Sequence, residues 1–258
     1  MKRERAYVDN RRNKILEVME TQPGIKVADL AKMFDISPVT VRRDLQYLED
    51  NKKLVRFYGG AQVTEKKERE QDEVKLYRDL IAQYAATLVE DGDSIFINTS
   101  ANAISMLQYI DKRNVTVITN NGRALNYDHS DGISVILTGG ELRYPKEAMV
   151  GDFAIRNLQT VVAKKCFVGC SGFSEECGMT TEIANEVNIN ELMIRNVVKE
   201  NYILADHTKI GKNSSFISCG IDKIKNLITD ELASEEVIEQ IRDRGVKVHI
   251  VKKEDFYQ

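Results

Sequence analysis

The chain has 258 residues, of which 42% are apolar and 30% charged, so it is long enough for one large or two ordinary globular domains. No apolar run is long enough to cross a bilayer, and the charged start Met1–Arg5 does not resemble a signal peptide, so we expect a cytoplasmic protein with no membrane partner. The four cysteines form no Cys-x-x-Cys pair and the three histidines are scattered, which predicts reduced thiols and no metal site.

Charge is distributed unevenly along the chain. Residues 1–61 carry 13 basic and 9 acidic side chains, a net charge of +4, whereas the whole chain has a net charge of −3 and the remainder therefore −7. A basic first part and an acidic second part predict two domains with different partners. We place the first domain at 1–61 and the second at 76–258. The highly charged segment 62–75 between them reads as a linker or an exposed helix start.

The first domain has the pattern of a winged helix-turn-helix. Helical patterns cover three segments, Arg11–Met19, Lys26–Phe34 and Pro38–Glu49. A short turn joins the last two, as in a helix-turn-helix. The β-favouring run Leu54–Tyr58 then precedes two glycines and predicts a hairpin, the wing, from which Arg56 and Tyr58 can reach DNA phosphates.

The segment that begins at Ser37 is the candidate DNA-reading helix. Ser37 is a suitable N-cap and Pro38 fits the first helical position, so we expect the helix to start there. An apolar stripe with helical spacing comprises Val41, Leu45 and Leu48. The side chains that lie off this stripe and suit a DNA major groove are Thr40, Arg42 and Arg43. The alternative is a capped surface helix with solvated arginines.

Linked sequence blocks at fixed spacing carry a resemblance that covers this domain. They are Val27–Ala31, Ile36–Leu45, Leu48–Glu49, Leu54–Arg56 and Tyr58–Ala61. With these blocks the chain resembles the DeoR-type family of bacterial transcription regulators. The resemblance implies a winged-helix domain that places Ser37, Thr40, Arg42 and Arg43 at operator DNA. We expect Asp44 to be an internal salt-bridge partner, because phosphates would repel a carboxylate that faced them.

Strand and helix patterns alternate through the second part of the chain, which predicts βαβ units and an α/β fold with a mostly parallel sheet. The predicted strands are Ser94–Asn98, Val115–Thr119, Ile133–Thr138, Lys165–Gly169, Asn201–Ala205, Asn226–Thr229 and Val246–Val251. The predicted helices are Leu76–Glu90, Asn102–Ile110, Ala148–Val161, Ala184–Lys199 and Ser234–Asp243.

Small and polar residues follow five of these strands. The five loops are Thr99–Asn102, Asn120–Arg123, Gly139–Arg143, Cys170–Gly172 and Asp206–Lys209. In an open parallel sheet, ligands bind beyond the carboxyl ends of the strands. The helix start near Asn102 suits a phosphate. Each loop alone has ordinary turn composition, but five in register favour a polar ligand site.

This second part also resembles the sensor domain of the same family. The matching blocks are Gly92–Phe96, Val117–Asn121, Leu137–Arg143, Val150–Gly151, Phe167–Gly169, Gly178–Thr181, Glu186, Met193 and Ala205–Gly211. The resemblance implies a Rossmann-like sensor domain, similar to ribose-5-phosphate isomerase, that reads a phosphorylated sugar or polyol. The chain departs from the family pattern in the first loop and at position 190. Asn98 stands where members usually carry an acidic residue, followed here by Ser100, Ala101 and Asn102 in place of glycine and two threonines, and Asn190 stands where many carry lysine.

We therefore predict a transcriptional regulator that represses a sugar or polyol operon and needs no cofactor. Its predicted partners are operator DNA, a phosphorylated sugar or polyol effector, and further copies of itself. The predicted effector contacts are Thr99, Ser100, Ala101, Asn102, Asn120, Gly139, Gly140, Glu141, Arg143, Gly169, Ser171, Glu186, Asp206 and Lys209. The alternative is an isomerase-like enzyme with an attached DNA-binding domain, in which Glu186 and Asp206 act as acid and base. A nucleotide-binding loop at Gly211-Lys212 is discounted, because the residues around it do not match a P-loop.

Overall fold

The computed structural model describes the backbone of residues 2–22, 24–51, 53–57 and 60–256, and the side chains of residues 8, 10–19, 21–22, 24–51, 53–54 and 71–256. The chain divides into two compact units, Met1–Glu73 and Val74–Gln258. Among the described residues, no helix is long and apolar enough to span a membrane.

Three helices and a hairpin form the first unit. Its elements are α1 (Lys2–Thr21), α2 (Val27–Met33), α3 (Pro38–Asp50), β1 (Leu54–Phe57) and β2 (Gly60–Val63). The two strands are antiparallel, with Leu54 opposite Val63. The predicted helices and the hairpin are confirmed, although α1 extends further in both directions than the predicted segment Arg11–Met19.

The start of α3 follows from its first residues. The Ser37 hydroxyl oxygen accepts a hydrogen bond from the backbone N–H of Thr40 at 3.1 Å, and Pro38 occupies the first turn. Val41, Leu45 and Leu48 are buried, as predicted, and they pack with residues of the other elements into one apolar core. The core residues from these other elements are Ile15, Met19, Leu30, Ala31 and Leu54.

Asp44 is buried on the inner side of α3 and pairs with two arginines of α1. Its carboxylate accepts hydrogen bonds from Nε of Arg11 at 2.8 Å and from Nε of Arg12 at 2.9 Å. The Arg12 guanidinium also lies 3.6 Å from the ring centroid of Tyr47. The predicted internal salt bridge of Asp44 is confirmed, and it ties α1 to α3.

The charged segment 62–75 is not an extended linker. It comprises the end of β2 and the first half of helix α4 (Thr64–Thr87). Of the two predictions for this segment, a linker or a helix start, the structure therefore agrees with the helix start. The division between the two compact units falls inside α4, after Glu73. Apolar side chains of its second half, including Tyr77, Leu80 and Ile81, are buried in the core of the second unit.

The second unit is built on a parallel sheet. Its strands are β3 (Ser94–Ile97), β4 (Val115–Thr119), β5 (Ile133–Leu137), β6 (Glu141–Arg143), β7 (Ala148–Val150), β8 (Ala163–Gly169), β9 (Gly172–Ser174), β10 (Gly178–Thr181), β11 (Val197–Leu204), β12 (Phe216–Cys219), β13 (Asn226–Asp230) and β14 (Lys247–Val251). Its helices after α4 are α5 (Ala101–Ser105), α6 (Asp152–Gln159), α7 (Ala184–Arg195) and α8 (Glu235–Asp243). Short 3-10 helices cover Met106–Gln108, Gly122–Asn126, Ile221–Lys223 and Lys253–Asp255.

Seven strands pair in the order β14-β13-β11-β8-β3-β4-β5, all parallel within the described residues. Successive side chains of a strand point to opposite faces, so each central strand supplies two cores. Phe96 joins the core formed with α6, α7 and α8, whereas its neighbours Ile95 and Ile97 join the core formed with α4 and α5. The predicted α/β fold with its seven strands is confirmed.

Two small antiparallel elements were not predicted. Strands β6 and β7 form a hairpin in which Glu141 pairs with Val150, and β9, β10 and β12 form a three-stranded sheet. The predicted helix Ala148–Val161 is therefore wrong over Ala148–Val150, which is β7. The helix begins only after Gly151, whose positive φ of 86° turns the chain away from the strand.

Helix ends differ from the predictions elsewhere too. Helix α7 ends at Arg195, before the predicted Lys199, because β11 already begins at Val197 beside Ala163. The predicted helix Asn102–Ile110 is the five-residue α5, continued by a 3-10 turn. These ends depend on pairing and packing with distant residues.

Candidate functional site

A cavity lies at the point where the sheet reverses its direction of growth. From β3 the chain continues to β4 and β5 on one side, and from β8 it continues to β11, β13 and β14 on the other. The loops after these two neighbouring strands therefore lead away from each other, which leaves a crevice beyond their carboxyl ends. A cavity of about 270 Å³ opens there.

The cavity brings together eight of the fourteen predicted effector contacts: Thr99, Ser100, Ala101, Asn102, Gly169, Ser171, Glu186 and Lys209. It does not include the other six: Asn120, Gly139, Gly140, Glu141, Arg143 and Asp206. The described lining also contains residues that were not predicted: Arg78, Asn98, Arg123, Lys146, Cys170, Thr181, Glu182 and Leu204.

Asn98 holds the two loops at the switch point together. Its side-chain Nδ2 donates to the carbonyl of Gly169 at 2.9 Å and to Oδ1 of Asn190 at 3.0 Å. Its Oδ1 accepts from the backbone N–H of Gly169 at 3.0 Å and from that of Ser100 at 3.2 Å. A side chain that both donates and accepts is needed here, which an ionised carboxylate at position 98 would not provide.

Gly169 is required by the close approach of these loops. A Cβ atom at this position would lie 2.4 Å from Cβ and 2.3 Å from Oγ of Ser100. Ser100 in turn caps α5, since its Oγ accepts from the backbone N–H of Ala103 at 3.1 Å. The absence of a side chain at Gly169 thus lets the capped loop form one wall of the cavity.

Glu186 is a buried carboxylate on the cavity wall. It accepts hydrogen bonds from the hydroxyl of Thr99 at 3.0 Å and from that of Thr181 at 2.9 Å. Nζ of Lys146, from the turn between β6 and β7, lies 3.3 Å and 3.4 Å from its two oxygens. The carboxylate therefore ties three separate segments to the first turn of α7.

Asp206 lies behind the cavity wall rather than in it. One of its oxygens accepts from Nε of Arg78 at 2.7 Å, and the other accepts from the backbone N–H of Thr208 at 3.0 Å and from the Thr208 hydroxyl. Burial by itself raises the pKa of Asp206, but the bonds from Thr208 and the Arg78 guanidinium outweigh it and hold the pKa below its usual range. Asp206 is thus an ionised anchor for Arg78.

The lining of the cavity has more cationic than anionic side chains. Within the described lining, the four cationic side chains Arg78, Arg123, Lys146 and Lys209 face two carboxylates, those of Glu182 and Glu186. No hydrogen bond or ion pair joins Nζ of Lys209 to any described residue. This balance, with hydroxyl, amide and backbone donors around it, suits an anionic ligand that also has hydroxyl groups.

Predicted contacts outside the cavity shape the hairpin that carries Lys146. The backbone of Asn120 accepts from the N–H of Met149 at 2.7 Å, and its side-chain Nδ2 donates to the Met149 carbonyl at 3.2 Å. Gly140 has a positive φ of 107°, and a Cβ there would lie 2.6 Å from the carbonyl oxygen of Val150. Glu141 and Arg143 form an exposed ion pair with each other.

We next consider whether the cavity has a reactive thiol, a histidine or a set of metal ligands. Burial raises the pKa of the Cys170 thiol to about 12, so this thiol stays protonated near neutral pH. His207 is outside the cavity, with Nδ1 2.8 Å from the Asp230 carboxylate. Among the described residues, no group of three or more histidine, cysteine, aspartate or glutamate side chains is arranged to hold a metal ion.

In the first unit, α3 presents the predicted DNA contacts on its outer face. Ser37, Arg42 and Arg43 are exposed, and Thr40 is half-buried. Neither arginine forms an ion pair with any other side chain that the structure describes. For the two predicted wing contacts, the side chain of Arg56 and all of Tyr58 lie outside the described residues.

Comparison with known proteins identifies both units. The DeoR C-terminal sensor domain matches residues 75–231, and the DeoR-like helix-turn-helix domain matches residues 11–67. The chain belongs to the DeoR family. This DeoR-family chain therefore has a DNA-binding helix-turn-helix domain and a sensor domain for a small molecule.

Two relatives match this DeoR-family chain over nearly its whole length. The HTH-type transcriptional regulator YulB of Bacillus subtilis (strain 168) is 31% identical over 251 residues, which are 95% of this chain and 97% of YulB. The lactose phosphotransferase system repressor of Staphylococcus aureus (strain NCTC 8325 / PS 47) is 28% identical over 243 residues, 90% of this chain and 95% of that protein.

Similarity to solved structures is partial. Ribose 5-phosphate isomerase A of Methanocaldococcus jannaschii aligns with a TM-score of 0.37 and 15% identity, over 52% of this chain and 54% of that chain. The DeoR-family chain thus spans about half the length of that isomerase, and the likeness carries no argument about its activity.

The two departures from the DeoR pattern noted in the sequence are in contact. Asn98 and Asn190 are hydrogen-bonded to each other at 3.0 Å. A neutral amide pair thus occupies this buried place, and Asn190 Nδ2 extends the chain of bonds to the Ser218 hydroxyl at 3.5 Å. Neither replacement leaves a buried charge without a partner.

Three cavity cations were missed by the reasoning from sequence. Arg78 lies on α4, far from any strand end, and Lys146 lies in a turn that was predicted neither as a turn nor as part of a hairpin. Arg123 was visible in one of the five loops but was not selected. Its backbone N–H bonds to Oδ1 of Asn121, which starts the 3-10 turn that places Arg123 at the cavity.

Proposed function

We propose that the protein represses a sugar or polyol operon and that a phosphorylated sugar or polyol, bound in the switch-point cavity, controls its affinity for operator DNA. The observation that carries the proposal is the cavity itself, in which cationic side chains exceed carboxylates and are interleaved with hydroxyl and amide groups. A phosphate would draw much of its affinity from charge-assisted hydrogen bonds, and hydroxyl groups would pair with the neutral donors and acceptors.

The named relatives point in the same direction. The Staphylococcus aureus relative is a repressor of a lactose phosphotransferase system. Operator binding is assigned to Ser37, Thr40, Arg42 and Arg43 on α3, with Arg56 and Tyr58 on the wing. Effector contact is assigned to the predicted residues that line the cavity, with the phosphate near Thr99–Asn102.

An isomerase activity is the second candidate, and we propose that it is absent. A general base needs an oxygen that is free to face the substrate and a pKa near the working pH. Both oxygens of Glu186 accept hydrogen bonds from threonine hydroxyls and contact Lys146. The pKa of Asp206 is lowered, and its carboxylate is bonded to Arg78 behind the wall.

We also propose that the protein is at least a homodimer. One winged helix covers a single half-site, whereas specific operators usually combine two half-sites related by a dyad. Light scattering at micromolar concentration should give at least twice the monomer mass of 29.3 kDa. A monomer that nevertheless binds operator with full affinity would contradict this.

The effector proposal is tested by calorimetry with fructose 1-phosphate, fructose 6-phosphate, galactose 6-phosphate and glucitol 6-phosphate, each beside its unphosphorylated form. At least one phosphate should bind much more tightly than its free sugar or polyol, and none should be converted on incubation with the protein. By linkage, the effector must change operator affinity by the same factor by which operator changes effector affinity. Equal binding of free and phosphorylated forms would refute the site, and turnover of a phosphate would favour the isomerase.

A further inference from the structure

Arg78 differs from the other cationic side chains of the described cavity lining in the element that carries it. Arg123 belongs to a 3-10 turn, Lys146 to the turn between β6 and β7, and Lys209 to the loop after β11. Arg78 belongs to α4. A ligand bonded to Arg78 would therefore touch a long helix directly, not only loops.

The guanidinium of Arg78 is fixed at one end and open at the other. Its Nε donates to the buried carboxylate of Asp206 at 2.7 Å, and 38% of the side chain is exposed. Its two terminal amino groups have no hydrogen-bond partner among the described residues. The pair formed by Nη1 and Nη2 matches the bidentate geometry in which arginine binds phosphate oxygens.

Arg78 lies on the helix that follows the wing in the sequence. This helix begins at Thr64, the residue after the last residue of β2, and continues to Thr87. Arg78 is fourteen residues beyond this start. The turns around Arg78 are anchored, since Tyr77 and Ile81 are fully buried.

We propose that Arg78 binds the effector phosphate through its terminal amino groups and that this contact is the one that couples effector binding to the wing end of α4. A ligand shifts a conformational equilibrium only by contacts that differ between the states, so the coupling must pass through a group that the ligand touches. Arg78 is such a group, and Asp206 is a positioning residue that orients it. The inference rests on the proposed function, because it presumes an anionic effector in this cavity.

The test combines binding and hydrogen exchange in the full-length protein. Inorganic phosphate and galactose 6-phosphate are the probes, since phosphate is the group that all proposed effectors share. In the wild type, saturation should change amide exchange over residues 64–77. Arg78→Gln should weaken probe binding by at least about tenfold, the loss expected for a charge-assisted hydrogen bond, and at matched saturation the exchange change over 64–77 should disappear.

Two further variants make the result specific. Lys209→Gln removes a cavity cation that is not on α4, so it should weaken binding while keeping the exchange change at matched saturation. Arg78→Gln leaves the buried Asp206 carboxylate without its partner, so Arg78→Gln combined with Asp206→Asn removes this unpaired charge. The double variant should fold as the wild type does and show the same two losses.

The results distinguish a failure of the coupling role of Arg78 from a failure of the proposed effector class. If wild type binds the probes but Arg78→Gln keeps the affinity or the exchange change, or if the wild type shows no change over 64–77, the coupling role of Arg78 is wrong and the proposed effector site stands. If wild type binds neither these probes nor the other sugar phosphates, the proposed effector class fails and the inference falls with it.

Discussion

The ion pairs of Asp44 lead to a quantitative prediction for the DNA-binding unit. The Asp44 side chain is 2% exposed, and those of Arg11 and Arg12 are 13% and 15% exposed, so water cannot readily replace the lost partner in Asp44→Ala. A hydrogen bond to a charged group contributes about 1.5–3 kcal/mol, and breaking a buried pair costs about 3–5 kcal/mol. Because Arg12 keeps its contact with the Tyr47 ring, we take the lower end, about 3 kcal/mol.

Amide hydrogen exchange in the full-length protein measures this loss of stability within the DNA-binding unit. Amides of residues 11–50 should open about 100-fold more often in Asp44→Ala than in the wild type, because each 1.36 kcal/mol is a factor of ten. The matched control is Asp50→Ala, which removes an exposed carboxylate of the same helix that accepts a hydrogen bond from Nε2 of Gln46 at 2.8 Å; it should change the opening free energy by at most about 0.5 kcal/mol. A loss below about 1 kcal/mol in Asp44→Ala, or equal losses in both variants, would refute the reasoning.

Three further predictions concern the two sites. Arg42→Gln and Arg43→Gln should each lower operator affinity by about 1–3 kcal/mol and relax base preference in a gel-shift assay, and unchanged affinity in both would exclude α3 as the reader. Gly169→Ala should lower stability by about 1–3 kcal/mol in thermal melts, since its Cβ would lie 2.4 Å from Cβ of Ser100; an unaltered melting temperature would contradict the close approach. The pKa of Asp206 is lower in the folded protein than in the unfolded chain, so its ionisation stabilises the fold at pH values above the unfolded pKa of about 3.9, and this contribution is lost as the pH falls through the folded pKa. In urea titrations, the stability deficit of Asp206→Asn should therefore be largest at neutral pH and should shrink below about pH 4. A deficit that does not change with pH would argue against the ion pair with Arg78.

Features that depend on neighbours in sequence were predictable. The start of α3 at Ser37 and Pro38 follows from a cap and a ring geometry that act within one turn. The strands of the parallel sheet were recognised as short apolar runs, and strands such as β8 and β13 have this composition because both of their faces are buried. The polar loops after the strands were predicted to meet, since parallel strands bring their carboxyl ends to one edge.

Features that depend on pairing between distant segments were not predictable. Ala148–Val150 has an ordinary helical composition, and it becomes a strand because Glu141–Arg143 lies beside it. Asn120 and Gly140 were assigned to the ligand, yet their contacts support this hairpin, because a polar or glycine residue after a strand can serve either purpose.

The amino-acid sequence by itself determined the family, the order of the two domains and the edge of the sheet at which the cavity lies, because these follow from local patterns and from the rule for parallel strands. Only the tertiary structure decided which side chains form the cavity. Arg78 and Asp206 are 128 residues apart, and Asn98 and Asn190 are 92 apart, so no local pattern relates the members of either pair. They meet because helices α4 and α7, which carry Arg78 and Asn190, pack against the sheet whose strands β3 and β11 lead into Asn98 and Asp206, and the charge of the cavity arises from that packing.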